Sequence, residues 1–290
     1  MAELELKEVS YFYESGGKRI DILDKASYSF EKGTLYTIVG PSGSGKTTTL
    51  TLAGALEEPK SGCVCFEGKD IREIGYTRYR NSKIGIVFQA YNLLPYLTPL
   101  ENVLAAMEIT SNPIKNKKER ARELLTRMGI TEDQMKRNIN KLSGGEQQRV
   151  AIARAISTNA EVILADEPTG AVDSKTSNMI QDLFRKLNEE LGITIIIVTH
   201  DISLANKVGR VVMIADGKIS TEKIMKESYK DRMNELTTDG FSSDDSHEEF
   251  SILDKANRVQ ISPDMLAAAG IDSNKVKVQV VDGKVIITKE

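Results

Sequence analysis

The sequence predicts an α/β protein in which a mainly parallel β-sheet carries helices on both faces, followed by a small β-rich region. Three observations support this fold class. Apolar runs of strand length, such as LYTIVG at 35–40 and ITIIIVT at 193–199, alternate with helical patterns. Several of these runs end at a glycine, a carboxylate or a histidine, at the edge where open α/β sheets bind ligands. After about residue 220, polar and acidic segments replace this pattern.

The individual elements follow from local pattern. Residues 1–30 alternate around a Gly16–Gly17 turn, which indicates two antiparallel strands. Apolar runs predict further strands at 35–40, 83–89, 161–167, 193–201 and 210–218. Helices are predicted at 47–56, 99–108, 117–129, 149–158 and 174–191. Ser174 is the expected N-terminal cap of the last helix.

The C-terminal part predicts a linker and a small domain. Residues 221–238 are polar with a helical scatter of apolar side chains, and 239–249 are acidic and serine-rich. The elements predicted beyond them are a strand at 257–262, a helix at 263–270 and a hairpin at 275–289 with Asp282–Gly283 at its turn. The predicted regions are a main domain at 1–220, a helical and acidic linker at 221–250 and a small domain at 251–290.

Composition excludes several classes of protein. The chain has 290 residues and a formal net charge of −3, which argues against a strongly basic nucleic-acid binder. No stretch approaches the ~20 apolar residues of a membrane span, and the acidic start MAELELKEVS is not a signal peptide. Cys63 and Cys65, the chain's two cysteines, are too few for a metal centre and are expected to be reduced.

The stretch GPSGSGKT (40–47) has the spacing of a phosphate-binding loop between a strand and a helix. Its glycines let backbone N–H groups turn toward a phosphate, and the helix N-terminus adds positive potential. Lys46 is expected to reach the β- and γ-phosphates, and Thr47 is expected to bind Mg²⁺.

Two carboxylates and a histidine follow later strands of the predicted sheet. Asp166 ends the run VILAD and is placed to hold Mg²⁺, while Glu167 is placed to polarise an attacking water. Adjacent carboxylates beside a polyphosphate repel it unless a metal ion is present. His200 ends the next apolar run, where it is able to contact a γ-phosphate, although a lone histidine is as often incidental.

Taken together, the motifs resemble the ATPase subunit of an ABC transporter over residues 3–220. The matching stretches are GPSGSGKTT (Walker A), VFQ with Gln89 (Q-loop), LSGGEQQRVAIARA (signature), VILADEP (Walker B), GAVD (D-loop) and VTHD (switch histidine). The resemblance implies a P-loop NTPase core of RecA type, an antiparallel β subdomain and an α-helical subdomain that carries the signature. GAVD departs from the commoner GNLD or SALD, which leaves only interfacial packing in doubt.

The resemblance also implies roles for individual residues, with ATP and Mg²⁺ as cofactors. Residues implied to bind ATP are Tyr13, Gly40, Ser42, Gly43, Gly45, Lys46, Thr47, Thr48, Ser143, Gly144, Gly145 and Asp173. Those implied to bind Mg²⁺ are Thr47, Gln89 and Asp166. Glu167 is implied to be the general base and His200 to contact the γ-phosphate, with Gln89 and Lys46 completing the catalytic set.

The same resemblance implies an assembly. Ser143 and the Gly144–Gly145 N–H groups precede a helix, so they form a second anion site. In the family, two copies pair head-to-tail and each ATP lies between the P-loop of one copy and the signature of the other. A separately encoded membrane permease is the further partner, which places the chain at the cytoplasmic face of the membrane. FQAYNLLPYLTPLENV (88–103) resembles the branch of macrolide efflux, lipoprotein release and peptide resistance, and Leu93, Leu94, Tyr96 and Leu97 are expected to dock the permease.

Two alternatives concern the function beyond the ATPase. One is a cell-division relative that signals through its permease. The other is a regulator, because NRVQIS and the residues after it resemble the swapped-hairpin domain of AbrB-like regulators, which dimerise and often bind DNA. Basic and acidic residues nearly balance in this tail, so we expect a dimer tether and no DNA binding.

Overall fold

The computed structural model describes residues 2–200, 209–225, 247–252, 259, 261, 263–271, 276–281 and 284–289. Within these ranges the strands form three sheets. The first is antiparallel, with the order β2-β1-β4-β5. Its strands are β1 (Ala2–Ser15), β2 (Lys18–Glu31), β4 (Ser61–Phe66) and β5 (Lys69–Asp70). The predicted hairpin at the start of the chain is thus confirmed, with Gly16 and Gly17 both at positive φ in its turn.

The second sheet is mainly parallel and supports the nucleotide motifs. Its strands are β3 (Leu35–Val39), β6 (Ile84–Val87), β7 (Val162–Asp166), β8 (Thr194–Val198), β9 (Arg210–Ala215), β10 (Lys218–Met225) and β11 (His247–Ser251). Their order is β11-β10-β9-β3-β8-β7-β6. The pairs from β9 to β6 are parallel, whereas β10 and β11 join antiparallel at one edge.

The two faces of this sheet are covered by different elements, as the continuous apolar strands predict. On β7, Ile163 and Ala165 face a core built with the helices, whereas Val162 and Leu164 face a core shared with the antiparallel sheet. Side chains alternate between the faces of a strand, so a strand buried on both sides has apolar residues at most of its positions. The motifs predicted to bind phosphate therefore lie at the ends of strands that are covered on both faces.

The helices lie between and beside the strands. They are α1 (Lys46–Ala53), α2 (Ile71–Ile74), α3 (Tyr76–Ser82), α4 (Pro99–Ile109), α5 (Lys117–Arg127), α6 (Gly144–Ser157), α7 (Ser174–Leu191) and α8 (Pro263–Ala268). Helix α6 begins at Gly144, earlier than the predicted start at 149. None of the helices in the described ranges has the length and apolarity needed to cross a membrane.

The predicted cap of α7 at Ser174 is wrong. The N-cap is Asp173, whose carboxylate accepts hydrogen bonds from the Thr176 N–H at 3.0 Å and from the Thr176 hydroxyl at 2.7 Å. An aspartate side chain satisfies an orphan donor of the first turn and also carries the negative charge that a helix N-terminus favours. Ser174 is the first residue inside the helix.

The region predicted as a helical linker differs from expectation. Residues 221–225 belong to strand β10, and 247–250 belong to β11, which pairs with β10 from Thr221–Ser251 to Met225–His247. Backbone hydrogen bonding at the edge of an existing sheet has overridden the helical spacing. Most of the predicted strand at 257–262 and the Asp282–Gly283 turn lie outside the described residues. Beyond them, α8 confirms the predicted helix, and β12 (Val276–Val281) pairs with β13 (Lys284–Lys289) as predicted.

Candidate active site

The phosphate-binding loop joins the end of β3 to the start of α1 and packs closely against neighbouring strands. A Cβ on Gly40 would lie 2.1 Å from the Ile214 carbonyl oxygen, and one on Gly45 would lie 2.8 Å from Leu23 Cδ2. Gly45 also has φ +101°, which disfavours any side chain there. The close packing of this loop therefore requires residues without side chains at positions 40 and 45. Ser42 and Gly43 are exposed at the tip of the loop.

The side chain of Lys46 bonds back to the first residues of this loop. Its Nζ donates hydrogen bonds to the carbonyl oxygens of Gly40 at 2.9 Å and Pro41 at 2.8 Å, and the residue is only 8 % exposed. Ser44 Oγ, inside the same loop, is buried without a hydrogen-bond partner among the described residues. Buried hydroxyls are normally paired, so this orphan atom fits a loop that encloses a polar ligand.

Thr47 and Asp166 form the pair that fits a magnesium ion. Thr47 Oγ1 donates to Asp166 Oδ1 at 3.1 Å, although the two residues come from α1 and the end of β7. Burial raises the pKa of Asp166, and the neighbouring Glu167 charge adds to this. A hydroxyl and a carboxylate are oxygen ligands of the kind Mg²⁺ takes beside phosphates. A bound cation would also relieve the cost of ionising the buried carboxyl.

Glu167 and His200 meet beside this pair. The His200 Nδ1 lies 3.0 Å from Glu167 Oε1, and Thr199 Oγ1 donates to Glu167 Oε2 at 3.3 Å. The Glu167 side chain is 14 % exposed, whereas that of His200 is 71 % exposed. Glu167 has φ +44°, a conformation that costs energy for a residue with a Cβ and that aims its carboxylate into the site.

Gln89 follows β6, the strand next to β7, and its side chain lies near Gly170. A Cβ on Gly170 would lie 3.1 Å from Gln89 Nε2 and 3.6 Å from Glu167 Cβ, so the amide lies against the chain just after Asp166 and Glu167. The structure therefore brings together Thr47, Asp166, Glu167, His200 and Gln89, as the motif spacing predicts. Thr199, which sequence reasoning missed, belongs to this group, and its only signal was its place beside His200.

The signature stretch forms a second anion-binding geometry at the start of α6. Ser143 caps the helix: its hydroxyl accepts from the Glu146 N–H at 3.3 Å, while the Glu146 carboxylate accepts from the Ser143 N–H at 2.7 Å. These hydrogen bonds lower the pKa of Glu146. The Gly144 and Gly145 N–H groups belong to the first turn of α6, where backbone N–H groups have no partner within the helix.

The two anion sites contact different parts of the chain. The signature glycines pack on Tyr91 and Thr176: a Cβ on Gly144 would lie 2.8 Å from the Tyr91 hydroxyl, and one on Gly145 would lie 2.5 Å from Thr176 Cγ2. The P-loop instead packs on β2 and β9. Among the described residues, no recorded contact joins Ser143 to the P-loop, so the structure does not bring these two predicted site elements together.

The remaining predicted residues are Tyr13, Thr48 and Asp173. Tyr13, near the end of β1, is 46 % exposed, and its ring meets that of Tyr11 edge-on at 5.1 Å. Tyr11 is buried and donates to Glu57, which supports Tyr13 over Tyr11 as an exposed stacking surface. Thr48 is half-buried in the first turn of α1. Asp173 is committed to capping α7, and the hydrogen bonds from Thr176 lower its pKa.

Comparisons with known proteins agree with this geometry. A family model described as "ABC transporter" matches residues 23–170. The chain is 47 % identical over 205 residues to YclH of Bacillus subtilis, an uncharacterised ABC transporter ATP-binding protein, covering 71 % of this chain and 90 % of YclH. It is 42 % identical over 224 residues to the macrolide export ATP-binding/permease protein MacB of Syntrophobacter fumaroxidans, covering 76 % of this chain and 31 % of MacB.

A solved structure is similar over the same part of the chain. It is a dimeric, post-hydrolysis state of the ATP-binding cassette MJ0796 of Methanocaldococcus jannaschii, bound to ADP and Pi. The TM-score is 0.71 with 39 % sequence identity, and the match covers 77 % of this chain and 99 % of that one. Because 99 % of that cassette is accounted for by 77 % of this chain, the remainder has no counterpart in it.

Proposed function

The chain belongs to the family of ABC transporter ATP-binding subunits, and we propose from that premise how its residues use ATP. It is an ATP-hydrolysing subunit that powers a separate membrane permease, with ATP and Mg²⁺ as ligands. The observation that carries the proposal is the cluster at the ends of β7 and β8, where the Thr47–Asp166 pair lies beside the Glu167–His200 pair.

Each member of this cluster has a proposed task. The P-loop N–H groups and Lys46 bind the β- and γ-phosphates, and Lys46 exchanges its two carbonyl partners for phosphate oxygens. Thr47, Asp166 and Gln89 hold Mg²⁺, which when bound neutralises charge on the phosphates. Glu167 accepts the proton of the attacking water, and His200 holds that carboxylate in position and contacts the γ-phosphate.

The signature serves the nucleotide of a partner copy in this proposal. Ser143 and the two glycines after it form an anion site that packs on Tyr91 and Thr176, away from the P-loop contacts. Two cassettes arranged head-to-tail would give each ATP one P-loop and one signature, with Asp173 near the boundary. ATP would then join the two copies, and loss of the γ-phosphate would release them.

Mixing two inactive variants tests this arrangement. Glu167→Gln removes the proposed base, and Ser143→Arg blocks the signature, so each variant alone should hydrolyse little ATP. In a mixed dimer, one site combines the intact P-loop and base of the Ser143→Arg chain with the intact signature of the other. We expect mixing to recover steady-state ATPase activity well above the sum of the separate variants. If the mixture stays inactive while mixed dimers are detected by mass, each site uses its own chain's signature and the arrangement is wrong.

A permease-docking surface is proposed on the segment between Gln89 and α4. Tyr96 is 73 % exposed and Leu94 is 38 % exposed, whereas Leu93 packs against the helical core. Exposed apolar side chains next to a catalytic loop suit a contact that transmits its state. Tyr96→Glu should abolish co-purification with the permease and leave the ATPase activity of the isolated subunit unchanged. The same substitution at exposed Ile109 is the control, and unchanged co-purification of Tyr96→Glu would refute this surface.

We further propose export as the transport mode, with peptides, antibiotics or lipoproteins as cargo, at the cytoplasmic face of the membrane. The support is the resemblance of residues 88–103 to that branch and the similarity to MacB. Reconstitution with its permease partner would test it. ATP-dependent loss of such cargo from the membrane or the inner compartment is expected, and uptake in the opposite direction would contradict the proposal.

The small domain at 251–290 is proposed to be a tether of AbrB-like type that holds two cassettes together. Its support is the β12–β13 hairpin, where Val278 and Ile287 are partners in register and the exposed positions Val278 and Val285 are 59 % and 67 % exposed. An isolated hairpin is marginal in water, so a second copy would cover this face. Deleting 251–290 should lower the cooperativity of ATP hydrolysis. Unchanged cooperativity after the deletion, or binding of a DNA duplex by the undeleted chain at physiological salt, would contradict the tether.

A further inference from the structure

A single arginine joins the signature helix to the loop that follows the catalytic glutamine. Arg154, in the last turn of α6, donates from its two terminal nitrogens to the carbonyl oxygens of Tyr91, at 2.9 Å, and Asn92. The guanidinium is largely withdrawn from solvent, and this desolvation lowers the pKa of Arg154. A planar fork that donates to two consecutive carbonyls suits arginine and not lysine.

The backbone that Arg154 holds is in an unfavourable conformation. Tyr91 has φ +61° and Asn92 has φ +49°, so two consecutive residues with a Cβ are left-handed. Asparagine tolerates this region, but an aromatic residue does so at a cost. The turn is tight, because the Tyr91 N–H bonds to the Phe88 carbonyl at 3.1 Å and the Asn92 N–H bonds to the Ala90 carbonyl at 2.6 Å. Strained turns of this kind persist where surrounding contacts over-determine them.

The strained turn lies between three functional elements. Gln89 precedes it by two residues and lies against Gly170 after the catalytic carboxylates. The Tyr91 hydroxyl lies against Gly144, the first residue of the signature helix. On the other side, the Leu94 N–H is held by Asn102 of α4 at 2.7 Å, at the start of the exposed surface proposed for the permease. A change in the turn would therefore move the glutamine, the signature contact or the docking surface.

We propose that Arg154 is a positioning residue for ATP hydrolysis: by bridging the Tyr91 and Asn92 carbonyls it holds Gln89 in the site and fixes the turn to the signature helix. This rests on the proposed role of Gln89 at the metal and the attacking water. Arg154 touches neither. Its effect passes through the backbone, so it alters the chemical step and not the binding of ATP at the P-loop.

The consequence for substitutions is specific. Arg154→Met keeps the aliphatic stem and removes both hydrogen bonds, and Arg154→Lys keeps the charge but loses the fork. We expect kcat to fall roughly tenfold in Arg154→Met, within the range of couplings carried by packed networks. Arg154→Lys should resemble Met more than wild type. The Kd for ATP measured without turnover should stay within about twofold in both variants, since the P-loop contacts are unchanged.

A glycine at position 92 separates positioning from general stability. Glycine takes positive φ at no steric cost, so Asn92→Gly should make the turn less dependent on the clamp. In the Arg154→Met background it should recover part of kcat without restoring the thermal midpoint. The control for a purely structural loss is Ile152→Ala. The Ile152 side chain lies on the same helix and is 0 % exposed, so its truncation leaves a cavity. It should lower the thermal midpoint, and Asn92→Gly should not improve its kcat.

Wild-type kcat in Arg154→Met, or no recovery on adding Asn92→Gly, would overturn the positioning role while leaving the ATPase assignment intact. An equal loss in Arg154→Met and Ile152→Ala, with equal response to Asn92→Gly, would reduce Arg154 to a structural residue and also overturn it. Failure of the proposed function itself would look different, because Glu167→Gln would then keep its turnover.

Discussion

Replacing Gly40 with alanine tests how tightly the phosphate-binding loop is built onto the sheet. An alanine Cβ there would lie 2.1 Å from the Ile214 carbonyl oxygen, in the strand beside β3, and 2.8 Å from Ser44 Oγ. Cβ contacts essentially never fall below 3.0 Å, so the loop or the strand must shift by about 0.9 Å. The carbonyl is backbone of a central strand and cannot rotate away. A displacement near 1 Å in a catalytic site costs on the order of 100-fold in rate.

The assay is steady-state ATP hydrolysis, with kcat/KM compared between variants. Gly209→Ala is the matched control, because Gly209 immediately precedes β9, the strand that carries Ile214, and a Cβ there meets no described residue within 4 Å. We expect kcat/KM to fall by about 100-fold in Gly40→Ala and to change by less than twofold in the control. Activity within threefold of wild type in Gly40→Ala would show that the loop relaxes freely, and the inference from close packing would be wrong.

Three other substitutions probe stability and chemistry. Burial raises the pKa of Asp166, so the folded state disfavours the ionised form of this carboxyl, and the free energy of unfolding falls as pH rises from about 4 through its folded pKa. Asp166→Asn should therefore raise the thermal midpoint of the nucleotide-free protein at pH 7, although it should abolish ATP hydrolysis. A lowered midpoint would contradict this. Ser143→Ala should destabilise α6 by about 1 kcal/mol in urea unfolding through loss of the cap, with ATP-dependent dimerisation weakened as well; intact dimerisation would contradict the second anion site. Phe184→Ala, on the buried face of α7 where Phe184 is 1 % exposed, should lower the free energy of unfolding by about 3–5 kcal/mol, against less than about 0.5 kcal/mol for exposed Glu189→Ala; equal losses would refute the core assignment.

Much of the active site was predictable because its chemistry is local. A strand, a glycine-rich turn and a helix N-terminus suffice for phosphate binding, and they lie within GPSGSGKT. Apolar strands with carboxylates or histidine at their ends predicted that Asp166, Glu167 and His200 would meet at one edge, since parallel strands end at the same edge. Their hydrogen bonds to Thr47 and to each other follow from that shared topology.

Other features were mispredicted because two local signals competed. Ser174 and Asp173 are both good caps, and the three-residue spacing to the Thr176 N–H selected the aspartate. The apolar residues of 221–238 were interpreted as a helical pattern, but in 221–225, the part of that stretch that the structure describes, the open edge of β9 offers backbone partners for a strand.

The amino-acid sequence alone determines where each phosphate-binding element begins and which side chains can perform acid–base and metal chemistry. Both properties depend on neighbours within a few residues of the chain. Only tertiary structure decides that Gly40 must lack a side chain because Ile214 faces it, and that Arg154 holds the turn after Gln89. Those contacts join residues far apart in the chain, and close packing, not local preference, determines which distant atoms share a boundary.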